Sequence, residues 1–459
     1  MLFRVYGAAS EAVKRAEIRK SKMENRNTNT TEGHVGDKTQ RVKSFGAANG
    51  AAPQDDKLAG VNELAEIRKS KMENRDPHGT VTQRPGRSED RPVHVLLFVV
   101  LLWLVPCAAP VRPQNMDKPV MNVDEEVTAF AYAPDGRIIF SVRRMFKTKK
   151  YVLQRDDIWL LETNGKRKKL LDGLKFTHGD KPFTYQVESF TWSPNGHIVA
   201  IQLFTTTEDP DSEQHEDVRA LLLLDDNGRE LHPSGKDALV MEAESPMWLR
   251  DNGTLVYLKP EVERDLFAMQ YLYMSSGPAT KAFEGRTFMT AVRIPGSNSA
   301  IAIERDRNMD GPPRVQRLDL QSQDDHELAT LDAFVGGLSI SPTGTKIAYF
   351  VDREVLEFRD LEDPRKVARL RVGLGVLAWS ADETRIYLKR TVEKKSADLV
   401  SFAVPRLVAY GKNQGVLVAE PEPFSLLHGL TVREYGLSPD GRFLAVVFPG
   451  KRNLQVFGF

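Results

Sequence analysis

From about residue 115 onward, apolar and polar positions fall into one recurring pattern. A short apolar strand runs into a tight polar turn, and a second strand rich in Ile, Val, Ala and Tyr leaves it. Copies read AYAPDGRIIF from Ala131, TWSPNGHIVAI from Thr191, WLRDNGTLVYL from Trp248 and VRIPGSNSAIAI from Val292. They continue as SISPTGTKIAYF from Ser339, AWSADETRIYL from Ala378 and GLSPDGRFLAVVF from Gly436. Proline pre-sets φ at the first corner, Asp or Asn tolerates the next, and Gly accepts positive φ. Three copies depart from this. The third has an extra residue and no proline, the fourth places Gly296 early, and the sixth carries Ala381-Asp-Glu383.

A third strand succeeds each hairpin: DIWLL from Asp157, ALLLL from Ala220, DLFAM from Asp265 and RVQRL from Arg314. The series goes on with EVLEF from Glu354, DLVSF from Asp398 and NLQVF from Asn453. Most lead through a polar turn, such as Asn164-Gly165 or Asn227-Gly228, into a short fourth strand. Four antiparallel strands every roughly 40–50 residues is the period of a propeller blade. The pattern predicts an all-β fold, a seven-bladed β-propeller of four-stranded antiparallel blades over residues 115–459, with no long helix. The last unit supplies three strands before the chain stops at Phe459. Segment 118–125 (KPVMNVDE) is therefore expected to pair with 453–457, covering an edge that would otherwise be open. Tyr132, Trp192, Trp248 and Trp379, which precede the turns, are expected to fill gaps between blades rather than stack a ligand.

Two segments come before the array. Residues 1–91 lack the apolar periodicity of a core and read as a disordered, low-complexity arm. Within it, AEIRKSKMENR at Ala16 recurs letter for letter at Ala65. This is either a tandem recognition peptide or a duplication upstream of the true translation start. Residues 92–114 hold the one membrane-grade stretch, VHVLLFVVLLWLVPCAA at 93–109. Its uncharged run is shorter than the ~20 residues of a comfortable span, and Arg84, Arg87 and Arg91 precede it. A cleaved signal peptide and a signal anchor both fit, and either one exports the repeat array. The expected location is periplasmic or extracellular, with inner-membrane anchoring through 93–109 if that segment stays uncleaved.

The WSPNG and LSPDG turns, each leading into an "IAF"-like strand, resemble the propeller repeats of the TolB family and of WD-like bacterial envelope propellers. That resemblance covers essentially all of 125–459. It implies the fold and an envelope setting, and it specifies function far less than fold.

Composition narrows the chemistry. Lys plus Arg number 64 against 63 for Asp plus Glu, so no global field favours nucleic acid. The single Cys107 rules out an intrachain disulfide. There is no G-x-S-x-G elbow, no phosphate-binding Gly loop and no His or Cys at metal-ligand spacing. Asp306, Asn308 and Asp310 with Gly311 match the start of a calcium loop, but Arg314 and Arg317 stand where its ninth and twelfth ligands belong. A polar connecting turn is the expectation there, and no cofactor is expected.

Turns joining strands one and two are short and uniform. The connections on the opposite end are long: 143–156, 172–188, 204–219 and 389–396. Function concentrates in variable loops on a rigid scaffold, so this end is the expected partner face. It carries Arg143, Arg144, Lys147, Lys149 and Lys150, the acids Glu208, Asp209 and Asp211, and then Lys389, Arg390, Lys394 and Lys395. The expected function is a non-catalytic exported scaffold that binds a protein or cell-envelope ligand through that face. The alternative is a channel-centred hydrolase or lactonase.

Overall fold

The computed structural model describes residues 118–458 apart from 148–151, 179–182, 209–214, 234, 236, 262–265, 276, 391–398, 411–414, 426–431 and 451. The arm with its duplication and the 93–109 segment lie outside the described residues, as do Lys149, Lys150, Asp209, Asp211, Lys394 and Lys395.

Every regular element described is a β-strand, and the strands form antiparallel meanders. After β1 (Met121–Val123), the first meander is β2 (Val127–Tyr132), β3 (Ile138–Lys147), β4 (Val152–Leu161) and β5 (Arg167–Leu171). The second is β6 (Phe183–Trp192), β7 (Ile198–Glu208), β8 (His215–Asp225) and β9 (Leu239–Met241). An eight-stranded sheet comes next, made of two meanders. One is β10 (Glu244–Trp248), β11 (Thr254–Pro260), β12 (Phe267–Tyr273) and β13 (Thr280–Ala282); the other is β14 (Phe288–Arg293), β15 (Ser299–Glu304), β16 (Arg314–Asp319) and β17 (Asp325–Thr330). A single pairing, Phe267↔Phe288, joins them. The fifth meander is β18 (Gly336–Ile340), β19 (Lys346–Phe350), β20 (Val355–Asp360) and β21 (Lys366–Arg371).

The next meander departs from the repeat. After β22 (Gly375–Trp379), β23 (Arg385–Arg390) and β24 (Leu399–Ala403), the chain lays β25 (Val408–Ala409) antiparallel and β26 (Val418–Ala419) parallel to β21. Only then does it form its own fourth strand, β27 (Phe424–Ser425). This strap was not expected from the sequence. The last meander holds β28 (Glu434–Leu437), β29 (Phe443–Val447) and β30 (Leu454–Gly458), and its fourth strand is β1. Met121, Asn122 and Val123 face Val456, Gln455 and Leu454, so the expected pairing of 118–125 with 453–457 is present.

First strands pack side by side, β2 on β6, β6 on β10, β10 on β14, β14 on β18, β18 on β22, and β28 on β2. This is a propeller-type arrangement. Each seam between successive meanders is filled by its own apolar cluster. The aromatics before the turns belong to these seams. Trp248 is 1% exposed and donates its indole N–H to the Thr191 carbonyl of the preceding meander at 3.0 Å. Trp379 meets Phe358 edge-on at 5.8 Å between ring centroids.

The short turns link meander to meander as well. Arg137 donates to the Gly196 carbonyl (3.0 Å), the Asn195 N–H to Asn252 (2.9 Å), and the Arg250 N–H to Asn298 (2.8 Å). Gly441, at φ +71°, approaches Ala381 so closely that a Cβ would lie 2.8 Å from the alanine methyl. In the sixth copy Glu383 takes φ +57°, the glycine-type conformation. Its carboxylate bonds to the Thr343 N–H and hydroxyl, both at 2.6 Å, and to Lys346 at 2.7 Å. An unfavourable backbone at that turn is thus matched by a bolt to the previous one. The end bearing the short turns is a belt of inter-meander contacts.

Candidate functional site

The opposite end carries the entries to β2 and β28, the β3–β4, β7–β8 and β29–β30 connections, and the close of β23. Two of its expected loops begin and end as strand. The β3–β4 ladder continues unbroken from Arg143↔Asp156 to Lys147↔Val152, and the β7–β8 ladder from Phe204↔Arg219 to Glu208↔His215. Segment 172–188 likewise ends as strand, because Phe183, Tyr185 and Val187 alternate inward as part of β6. A run of three β-branched residues, Thr205 to Thr207, suits the pleat and carries β7 onward. The result is asymmetry. Strands β3, β4 and β6 have 10 residues and β7 and β8 have 11, whereas strands β14 to β24 have five or six. The first two meanders therefore project beyond the others at this end. Met145 and Val152, each 56% exposed, share one face of the first projecting hairpin with Lys147.

The basic residues expected on this end separate into two groups. Lys147 is exposed at the close of β3. Arg143 and Arg144 are instead engaged by the two glutamates that lead into β2. Arg144 reaches Glu125 at 2.8 Å and Asp157 at 2.9 Å, and Arg143 reaches Glu126 at 3.1 Å. Arg167 also approaches Glu125 at 3.4 Å and donates to the Asn122 carbonyl at 3.3 Å. Burial alone would push Asp157 upward, but Lys169, Arg144 and the Gly173 N–H hold its carboxyl below the usual range. Lys389 is not a loop residue either. It ends β23 with Arg390, is 4% exposed, bonds to the Arg433 carbonyl, and pairs with Glu434 at 3.5 Å. Glu208 closes β7.

Sequence reasoning missed Glu125, Glu126, Arg433 and Arg452, which meet where the first and last meanders join. Arg452 pairs with Glu126, and Arg433 donates to the Val127 carbonyl at 3.1 Å. Burial, then Arg452, drives the Arg433 guanidinium below its usual range; Arg143 adds to this while Glu434 and Glu126 oppose it. The available signal was the Glu125-Glu126 pair standing directly before the first inner strand. Beside Arg143, Asp156 is fully buried and accepts from the Thr128 hydroxyl (2.8 Å) and the Val187 N–H (3.0 Å). Its other oxygen has no partner. Burial pushes this carboxyl above the usual range, against the pull of those two donors and of Arg143.

Asp306, Asn308 and Asp310 line a cleft of about 340 Å³ together with Arg286, Glu304, Arg305 and Arg307. The loop's carbonyls are turned inward. The Met309 N–H takes the Asp306 carbonyl at 2.8 Å and Arg305 takes the Met309 carbonyl at 3.2 Å. Arg286 is held bidentately by the buried Glu304 at 2.9 and 2.6 Å and also pairs with Asp325 at 2.9 Å. Three guanidinium groups around three ligand-type side chains oppose a divalent cation electrostatically. Among the described residues, no three His, Cys, Asp or Glu side chains are placed to hold a metal.

No protein-family profile matches the chain, and no curated protein matches it. Among solved structures, the chain is similar to one in a crystal structure of a mitotic checkpoint complex. The match has 14% identity and a TM-score of 0.42, over 82% of this chain and 99% of the other. The propeller-type reading stands on the sheet order and the seams described above.

Proposed function

We propose that this chain is an exported, non-catalytic scaffold: a ring of seven blades, closed by β1, that binds a protein or cell-envelope ligand through its long-hairpin end. One observation carries the reading. Two adjacent meanders extend well beyond the rest at one end, carried outward by paired strands. The other end is consumed by contacts between turns. Rigid elements present a partner surface at low entropic cost. The first hairpin is basic, with Lys147, Lys149 and Lys150, and the second is acidic, with Glu208, Asp209 and Asp211. Such segregation favours oriented docking. The 93–109 segment serves as leader or anchor in this reading, as in the envelope propellers whose turns these resemble.

The test is a pull-down from envelope extracts with the wild-type chain and with Lys147, Lys149 and Lys150 all replaced by Glu. The proposal expects defined partners that the charge-reversed variant loses. Identical capture by both forms would refute the assigned face.

A further inference from the structure

The junction of the first and last meanders holds more positive charge than the chain itself neutralises. Arg143, Arg433 and Arg452 come together there from β3, the entry to β28 and the β29–β30 connection. The carboxylate of Glu126 serves two of them, Arg143 at 3.1 Å and Arg452. Arg433 has no carboxylate within 4.0 Å among the described residues, and its hydrogen bond goes to a backbone carbonyl, that of Val127. Glu434 is directed to Lys389 instead, at 3.5 Å. Asp156, opposite Arg143 in the ladder, accepts from Thr128 and the Val187 N–H and adds one buried carboxylate beside Arg143. The Nε of Arg143 is buried and has no acceptor. With Glu434 offset by Lys389, three half-buried guanidinium groups face Glu126 and Asp156, which leaves an excess of about one positive charge in a partly desolvated place.

We infer that Arg433, Arg143 and Arg452 form a binding site for a phosphate-class anion at this junction. A tetrahedral oxyanion offsets the charge excess. It presents several acceptor oxygens to planar guanidinium forks, the geometry in which arginine recognises phosphate bidentately. It would also tie together the two meanders that close the ring, so occupancy stabilises the fold by mass action. The inference does not depend on what docks at the projecting hairpins.

The experiment is a titration of the full chain with inorganic phosphate, monitored by calorimetry and by melting temperature, with sodium chloride at matched ionic strength as control. A phosphomonoester, phenyl phosphate, forms a second arm: binding equal to that of phosphate means the site accepts a phosphoryl group on a larger molecule, and weaker binding means it takes the free anion. Saturable binding is expected, with a rise in melting temperature that chloride does not reproduce. Arg433→Gln should weaken binding by about tenfold or more, the loss expected for one charge-assisted hydrogen bond. Arg433→Lys keeps the charge and removes the fork, so it should fold and bind phosphate several-fold more weakly. Absence of saturable phosphate binding by the wild-type chain, or unchanged affinity in the Lys variant, would overturn the inference.

Discussion

Replacing Val123 by Ala tests whether β1 is a working part of the fold. Val123 is 1% exposed and packs with Val127, Ile138, Phe140, Val142, Leu454 and Val456 in the seam between the first and last meanders. Its neighbour Val120 is 57% exposed, although its N–H bonds to the Val456 carbonyl at 2.7 Å. Truncation at 123 removes two buried methyl groups, about 0.8 kcal/mol each by transfer. The void left behind adds to that loss, so the expected cost is about 2 kcal/mol. For a domain of this size that lowers the melting temperature by about 4 °C, taking ~2 °C per kcal/mol. Val120→Ala removes the same atoms from solvent-facing surface and should stay within about 0.5 kcal/mol. Both variants keep the backbone pairing, so the difference between them isolates burial of the clasp. Parallel thermal and urea melts of the two proteins decide it. Equal effects would mean that β1 does not pack as described, and the closure argument would fail.

Individual residues give further expected outcomes. The Asp156 carboxyl is raised in the folded state, so folding binds its proton more tightly, and stability gains as pH falls from neutrality toward about 4, the unfolded value. Asp156→Asn should flatten that part of the pH profile, and an unchanged profile by urea melts would refute the assignment. Glu383 behaves oppositely. Burial would raise it, but Lys346 and Thr343 bring its pKa down to about 2, so its contribution is complete above about pH 4.5 and lost as pH falls toward 2. Glu383→Gln should remove that acid sensitivity, measured by melts across the acid range. Millimolar calcium should stabilise by well under the ~2.7 kcal/mol of a ligand at a hundred times its dissociation constant; a clear rise in melting temperature abolished by Asp306→Ala would revive the metal loop.

The repeat made most of the fold legible, because its turns are governed by local chemistry. Proline, Asn or Asp, and Gly in order allow few backbone paths. Each hairpin then announced itself without tertiary information. The pairing of 118–125 with 453–457 was legible from strand counting alone. Strand length was not. Segments 143–156 and 204–219 read as irregular because charge interrupts their apolar pattern, yet the ladders run on to Lys147↔Val152 and Glu208↔His215. The strap at β25 and β26 has no signature, since two-residue strands are held by the β21 edge and not by their own sequence. At the candidate site, Lys147 is exposed but closes strand β3 instead of lying in a loop. Arg143, Arg144 and Lys389 are engaged within the fold, because their partners, Glu125, Glu126 and Glu434, come from other strands, which residue spacing does not reveal. Arg433 and Arg452 are single residues at one end of the last meander, and only its packing against the first meander brings them to Arg143 and Glu126.

The most direct measurement of the central claim is site-specific photo-crosslinking in envelope extracts. A photoreactive residue at Lys147 samples the projecting hairpin, and one at Asp135 samples the belt of short turns. Both side chains are exposed. The account predicts a discrete adduct from position 147 and none from position 135. Adducts from 135 alone, or the same adducts from both, would contradict it.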